Sequence, residues 1–88
     1  MTKPWIYVDF NKRLGADTYR LTTLGTHNDL LRNSLTLAPG LSFVAYMEDE
    51  TAEGMPCYLA ADAVIIQADD GELLAQVADA SFREEPRE

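Results

Sequence analysis

The chain is poor in the residues that carry much of enzyme chemistry, because its 88 residues include one cysteine and one histidine. A lone Cys57 cannot form an intrachain disulfide, so packing alone must hold the fold, as is typical of a reducing compartment. The opening residues, MTKPW, lack the apolar run of a signal peptide, and no stretch reaches the length of a membrane-spanning helix. We therefore expect a cytoplasmic protein with no membrane partner.

The same scarcity argues against catalysis and metal binding. Cys57 has no Lys or Arg nearby in sequence to activate it, so an inert, half-buried cysteine is preferred over a Cys57–His27 pair, and one His with one Cys cannot make a usual structural zinc site. The acidic stretch 48–54 lacks the ligand spacing of an EF-hand, so a solvated loop is preferred there over weak cation binding. We predict a protein that is not an enzyme and that has no catalytic residue, metal site or cofactor.

Composition indicates one folded domain with an acidic balance. Apolar residues make up 47% of the chain, far more than in an intrinsically disordered segment. We assign residues 1–82 to a single small β-rich domain and residues 83–88 to a charged, disordered tail. The formal net charge is −8, and residues 45–88 contain twelve of the fifteen carboxylates. That acidic half would repel nucleic acid and anionic membranes.

Hydrophobic alternation with a period of two predicts a mainly β fold. Strands are expected at residues 5–11, 18–24, 41–48, 58–67 and 72–78, the last three as an antiparallel meander. In the first strand, Ile6, Val8 and Phe10 should face the core, with Trp5 and Tyr7 on the opposite face. A short helix at residues 27–33 is expected between strands 2 and 3.

Two architectures are compatible with this pattern. The first is a small five-stranded bent antiparallel sheet that closes into an SH3-like barrel. The second is an open antiparallel sheet with the helix laid across one face. Thr26 is the expected N-cap of that helix, because its hydroxyl can accept a hydrogen bond from an unpaired amide of the first turn.

Three segments resemble a family of short, uncharacterised bacterial proteins: residues 8–12 (VDFNK), residues 20–26 (RLTTLGT) and residues 39–49, which begin PGL and end YMED. The similarity spans most of the chain except the tail. The resemblance implies a small cytoplasmic bacterial protein built from a β-rich domain. It implies no particular activity, so no functional residue follows from it.

Aromatic and basic residues are the candidates for a binding surface. Exposed strand edges and outward aromatic residues suit an interface core, and the oppositely charged halves of the chain could complement each other across a dimer. We therefore predict a non-catalytic module that binds another protein or a second copy of itself. The alternative is an RNA-associated accessory domain that uses a basic aromatic N-terminal patch. The candidate binding residues are Trp5, Tyr7, Lys12, Arg13, Arg20 and Tyr46.

Two carboxylates, Asp9 and Asp62, fall inside predicted strands, where burial would demand a partner. Arg20 is the expected partner of either one. We prefer a structural ion pair to a catalytic carboxylate at both positions.

Overall fold

A computed structural model describes residues 3–86, which fold into one sheet and one α-helix. The elements in chain order are β1 (Trp5–Tyr7), β2 (Thr18–Arg20), α1 (Leu24–Arg32), β3 (Ser42–Glu50), β4 (Pro56–Gln67), β5 (Leu73–Val77), a short 3₁₀ turn (Asp79–Ser81) and β6 (Arg83–Pro86). The predicted mainly β class and the position of the helix between the second and third strands are confirmed.

Within residues 3–86 the sheet has six strands and is mixed, whereas the sequence predicted five antiparallel strands. The strand order is β1-β3-β4-β5-β2, and β6 pairs with β4. β1 runs parallel to β3, while every other strand pair is antiparallel. The long connection from β1 to β3, which contains β2 and α1, supplies the crossover that a parallel pair requires.

The sheet is not closed, so the predicted barrel is not the observed architecture. β1 and β2 lie at opposite ends of the strand order. The second predicted architecture, an open sheet, agrees with the structure in this respect. α1 contacts β1 at the end of the sheet, and its Leu30 packs against the core.

β4 is the longest strand and organises the sheet. One of its edges pairs with the whole of β3, and the other pairs with β6 over Cys57–Ala60 and then with β5 over Ala63–Gln67. The assignment of residues 83–88 to a disordered tail is therefore wrong for residues 83–86, because these form β6. β5 leaves the first part of β4 unpaired on that edge, and β6 fills the gap. Residues 87 and 88 of the predicted tail lie outside the described residues.

The core lies on one face of the sheet. Ile6 and Val8 are fully buried, and Phe10 packs against them with its ring 5.4 Å from that of Tyr19 and 5.1 Å from that of Phe82. The prediction that alternate residues of the first strand face inward is confirmed.

The first strand is shorter than predicted because a local turn ends it. The Asp9 carboxylate accepts a hydrogen bond from the backbone N–H of Asn11 at 2.9 Å, and the Asp9 carbonyl accepts one from Lys12 at 3.0 Å. An Asp side chain commonly hydrogen-bonds to the backbone N–H two residues further on, and this bond competes with strand pairing. The turn sends residues 12–14 to pair with β2.

The helix begins three residues earlier than predicted, and its N-cap is Thr23, not Thr26. The Thr23 hydroxyl accepts a hydrogen bond from the backbone N–H of Thr26 at 3.3 Å. Thr26 is fully buried and donates its own hydroxyl to the carbonyl of Tyr7. Two threonines with the same local capping chemistry were available, and the contact with β1 decided between them.

Candidate functional site

Four aromatic side chains share the sheet face opposite the core. Trp5 and Tyr7 alternate with the buried Ile6 on β1, and Tyr46 and Tyr58 extend the row onto β3 and β4. We call Trp5, Tyr7, Tyr46 and Tyr58 the aromatic face. Tyr46 lies opposite Tyr7 on one side and opposite Ala60 on the other. The small Ala60 side chain leaves space beside the Tyr46 ring, as cross-strand packing requires.

The rings of the aromatic face form one connected cluster around Tyr46. Its ring centroid lies 5.7 Å from that of Trp5, 5.8 Å from that of Tyr7 and 5.4 Å from that of Tyr58. Trp5 and Tyr58 are themselves 6.2 Å apart. The interplanar angles run from 46° to 90°, so each pair is tilted or edge-to-face, which the ring quadrupole favours.

A buried carboxylate of α1 fixes the central ring. Asp29 is 2% exposed, and its Oδ2 accepts hydrogen bonds from the Tyr46 hydroxyl at 2.6 Å and from the Tyr7 backbone N–H at 2.9 Å. The Arg32 guanidinium lies 3.1 Å from its Oδ1. The carboxylate thus has three charge-assisted contacts that offset its desolvation.

The helix also covers the outer edge of β1. Asp29 accepts from the N–H of Tyr7, and Thr26 donates to the carbonyl of the same residue. An exposed strand edge would otherwise present these groups to another strand. Gly25 permits the close approach, since a Cβ added there would lie 2.8 Å from Cδ1 of the Tyr7 ring.

Burial and nearby negative charge raise the pKa of the Tyr46 and Tyr7 hydroxyls. Burial is the main cause of the raised pKa of Tyr46, followed by its hydrogen bond to Asp29 and the charge of that carboxylate. The pKa of Tyr7 is also raised, by burial first and then by the charges of Asp9 and Glu48. Both phenols therefore stay neutral to a higher pH than an ordinary tyrosine does.

A cleft of about 610 Å³ opens beside the aromatic face. Trp5, Tyr46 and Tyr58 form its apolar wall, and Lys3 and Arg32 bring positive charge to it. Asp29 is the one carboxylate among its described lining residues. We call this the aromatic cleft. A second depression, of about 480 Å³, shares Asp29, Arg32 and Tyr46 with it and extends toward Glu48.

Comparison of the chain with protein-family models, with curated proteins and with solved structures finds no match. The resemblance to a bacterial family therefore stays a prediction. The site has to be interpreted from its own geometry.

The structure divides the six predicted binding residues into two groups. Trp5, Tyr7 and Tyr46 meet on the aromatic face, whereas Lys12, Arg13 and Arg20 belong to the hairpin that contains β2. The Arg13 guanidinium donates to the carbonyls of Gly15 and Ala16, and that of Arg20 lies 3.7 Å from Glu72. The two arginines thus contribute to local structure, and the single predicted patch is corrected to two separate regions.

Sequence reasoning missed Tyr58, Asp29, Arg32 and Lys3 as parts of the site. A signal for Tyr58 was present, because it lies two residues before Ala60 and so shares the sheet face opposite the core with it, on a strand that pairs with β3. For Asp29, local sequence indicates no more than a carboxylate near a helix N-terminus. Its actual partners on β1 and β3 are distant in sequence and leave no local pattern.

The predicted contacts of Arg20 with Asp9 and Asp62 are replaced by others. Asp62 pairs with Arg83, whose Nη1 lies 3.6 Å from its Oδ1, and Asp9 closes its own turn. Both carboxylates are half-buried, so neither is a desolvated acid of the kind that catalysis uses.

The two reactive side chains lie in different surroundings. His27 is exposed on α1, and Cys57 is buried in β4 with its thiol 3.7 Å from the Glu84 carboxylate. Residues 3–86 contain no group of three His, Cys, Asp or Glu side chains placed to hold a metal ion. Over the same residues no helix has the length and apolarity needed to cross a membrane.

Proposed function

We propose that the protein is a non-catalytic interaction module that holds a segment of another protein against the aromatic face. The observation that carries this proposal is the contact of four partly exposed rings on the solvent side of one sheet, next to a cleft. Tyr and Trp supply much of the binding energy in interface cores, since they bury a large area with few rotatable bonds. A contiguous apolar patch of this kind commonly marks an interaction site.

The rigidity of the face supports the same proposal. Asp29 fixes the Tyr46 hydroxyl, and the Tyr46 ring contacts the other three rings. Side chains that are ordered before binding lose less conformational entropy when a partner arrives. The face is thus preorganised for recognition. A reducing compartment suits the lone cysteine, and we place the protein in the cytoplasm on that ground.

RNA binding remains the alternative, and one feature favours it. Lys3 and Arg32 border aromatic rings, which is the combination that single-stranded nucleic acid uses. Against it, Arg13 and Arg20 have partners elsewhere, and the net charge of −8 repels a polyanion. We therefore favour a protein partner.

The test is capture of partners from a lysate of the source organism by the wild-type chain and by Trp5→Ala and Tyr58→Ala variants. Leu14→Ala is the matched control, since Leu14 is a 51% exposed apolar residue outside the aromatic face. We expect at least one protein to be retained by the wild type and the control and lost from both variants. Equal capture by all four chains would contradict the proposal.

Sedimentation equilibrium distinguishes a second copy from a different partner. A dimer that Trp5→Ala dissociates and Leu14→Ala preserves would identify self-association through this face. Thermal unfolding of each variant establishes that the comparison is between folded proteins.

A further inference from the structure

We infer that α1 is a releasable cover, which undocks from β1 as a unit while the sheet stays folded. Undocking opens the edge of β1 and frees the central ring of the aromatic face. Three features support the inference: the polar character of what α1 buries, the apolar anchors on either side of it, and the carboxylate that joins it to both the edge and the ring. The undocking concerns the fold alone, and its consequence for binding rests on the proposed function.

The docked side of α1 is polar. Among the nine described residues of this helix, the two that are buried are Thr26 and Asp29. Leu30 is half-buried against the core, whereas Leu24 and Leu31 are 72% and 66% exposed. Burial of apolar surface is the main force that opposes opening of a folded segment, and α1 contributes little of it. A helix this short is also unstable without its docking contacts.

The hydrogen bonds that hold α1 are exchanged for bonds to water when it undocks. Thr26 donates to the carbonyl of Tyr7, and Asp29 accepts from the N–H of the same residue. Because each of these groups regains a water partner, the net cost is a small part of the gross bond strength. Asp29 also recovers the hydration that its charge loses on burial. We therefore expect α1 to open at a lower free energy than the sheet does.

Apolar residues anchor the chain on both sides of α1. Leu21 precedes the helix and Leu35 follows it, and both pack against the core. Thr22, Asn33 and Ser34, which lie between these anchors and the helix, are exposed. The helix can therefore leave β1 without pulling either leucine out of the core.

Undocking also changes the aromatic face, because Asp29 accepts the hydrogen bond of the Tyr46 hydroxyl at 2.6 Å. Without that acceptor the Tyr46 ring loses the contact that fixes it, and this ring contacts the other three. Docked α1 is thus the state in which the rings are ordered. For the proposed interaction module, this state binds a partner at the lower entropic cost, and a bound partner in turn stabilises docking.

Two neighbouring amides of the first strand test the inference in the wild-type protein. The Tyr7 N–H is bonded to Asp29 of α1, whereas the Val8 N–H is bonded to the Tyr46 carbonyl of β3 at 3.0 Å. In native-state hydrogen exchange followed by NMR, we expect Tyr7 to share the protection of the α1 amides and to be protected about tenfold or more less than Val8. Equal protection of Tyr7 and Val8 would overturn the inference, because α1 and the sheet would then open together.

A proline in α1 holds the helix in its undocked state. Asn28 is exposed, and Asn28→Pro removes a backbone hydrogen bond of the helix and clashes with its preceding turn. We expect this variant to keep a sheet that unfolds cooperatively and to lose much of the near-UV circular dichroism of the aromatic face. Asn28→Ala is the matched control and should keep both. An unfolded Asn28→Pro protein would show that the sheet needs α1, and an unchanged near-UV signal would show that α1 does not order the rings. Either result overturns the inference.

Capture from a lysate tests the consequence for binding. Asn28→Pro should retain a Trp5-dependent partner about fivefold or more less than Asn28→Ala does, and equal retention would overturn the regulatory role of α1. The hydrogen-exchange and circular-dichroism measurements need no partner, so they decide the undocking of α1 separately from the proposed function. If capture is independent of Trp5, the proposed function fails and the regulation of binding fails with it.

Discussion

At the scale of single residues, Asp29 links three elements with one carboxylate. It belongs to α1, and its oxygens receive donors from the backbone of β1, the Tyr46 hydroxyl of β3 and Arg32 of its own helix. Removing the acceptor oxygens of a buried carboxylate with this many partners is strongly destabilising. The buried donors are then left without either a partner or water to hydrogen-bond.

Replacing Asp29 by Asn should destabilise the protein by about 2–4 kcal/mol. The amide has nearly the same shape, but it cannot accept from Tyr46, Tyr7 and Arg32 together. Urea unfolding followed by circular dichroism measures the change. Asp70→Asn is the matched control, since Asp70 is exposed, and its effect should stay within about 0.5 kcal/mol. Equal effects of the two substitutions would show that the Asp29 network contributes little.

The raised pKa of Tyr46 makes stability depend on alkaline pH. The folded protein holds this proton at pH values where an unfolded tyrosine, with its ordinary pKa of 10.0, has released it. The contribution is therefore fully present below about pH 10 and is lost as the pH rises toward the folded-state pKa. We expect the free energy of unfolding to fall above pH 10, and to fall less steeply in Tyr46→Phe. Parallel pH profiles for the two proteins would contradict this.

The residues of the site differ in how far sequence could predict them. Trp5, Tyr7 and Tyr46 were found because alternation along a strand assigns each side chain to a face. Alternation does not say which strands are neighbours, so it could not separate these rings from Lys12, Arg13 and Arg20. That separation depends on the strand order.

At the scale of elements, the approach of α1 to β1 depends on the absence of a side chain at Gly25. A Cβ there would lie 2.8 Å from Cδ1 and 3.0 Å from Cγ of the Tyr7 ring, atoms close to the backbone that cannot easily move aside. The helix can therefore supply Thr26 and Asp29 to the strand edge only with glycine in its first turn.

Gly25→Ala should lower stability by about 1–3 kcal/mol, the range for overpacking. Alanine is the better helix former, so propensity alone predicts a gain of about 1 kcal/mol. The contact with Tyr7 reverses the sign. Gly15→Ala is the matched control, because a Cβ there meets nothing within 4 Å. Thermal and urea unfolding measure both variants, and a stabilised Gly25→Ala protein would refute the close contact.

The meander of β3, β4 and β5 was predicted to within two residues at each end, because its alternation and turns are encoded locally. The direction of β1 and the start of α1 were not. Parallel pairing with β3 is decided by a long crossover, and the choice of Thr23 over Thr26 as the cap is decided by contact with Tyr7. Neither contact has a signature in neighbouring residues.

At the scale of the whole molecule, β6 completes the edge of β4 that the meander leaves open. It covers Cys57–Ala60, and both Cys57 and Ala60 are almost fully buried. Arg83 adds an ion pair to Asp62 across the same junction. The charged composition of this segment predicted a tail, since composition cannot report an unpaired strand edge elsewhere in the chain.

A chain that ends at Phe82 should be less stable than the full chain by about 1–3 kcal/mol, through lost strand hydrogen bonds and exposure of buried groups. Its Cys57, now 1% exposed, should also react with a thiol reagent much faster. A chain that ends at Pro86 retains β6 and is the matched control. If the two truncated proteins have the same stability and thiol reactivity, residues 83–86 contribute nothing to the fold.

The order of strands has a consequence for synthesis on the ribosome. β1 can pair only after β3 has been synthesised. The start of β4 can pair on its second edge only after β6, which follows every other described element in chain order. A nascent chain therefore has β1 unpaired until β3 has emerged, and one edge of the start of β4 unpaired until translation has passed residue 86. Such non-local pairing slows folding and prolongs exposure of apolar surface. Premature termination should consequently yield aggregation-prone fragments, not smaller folded versions of the protein.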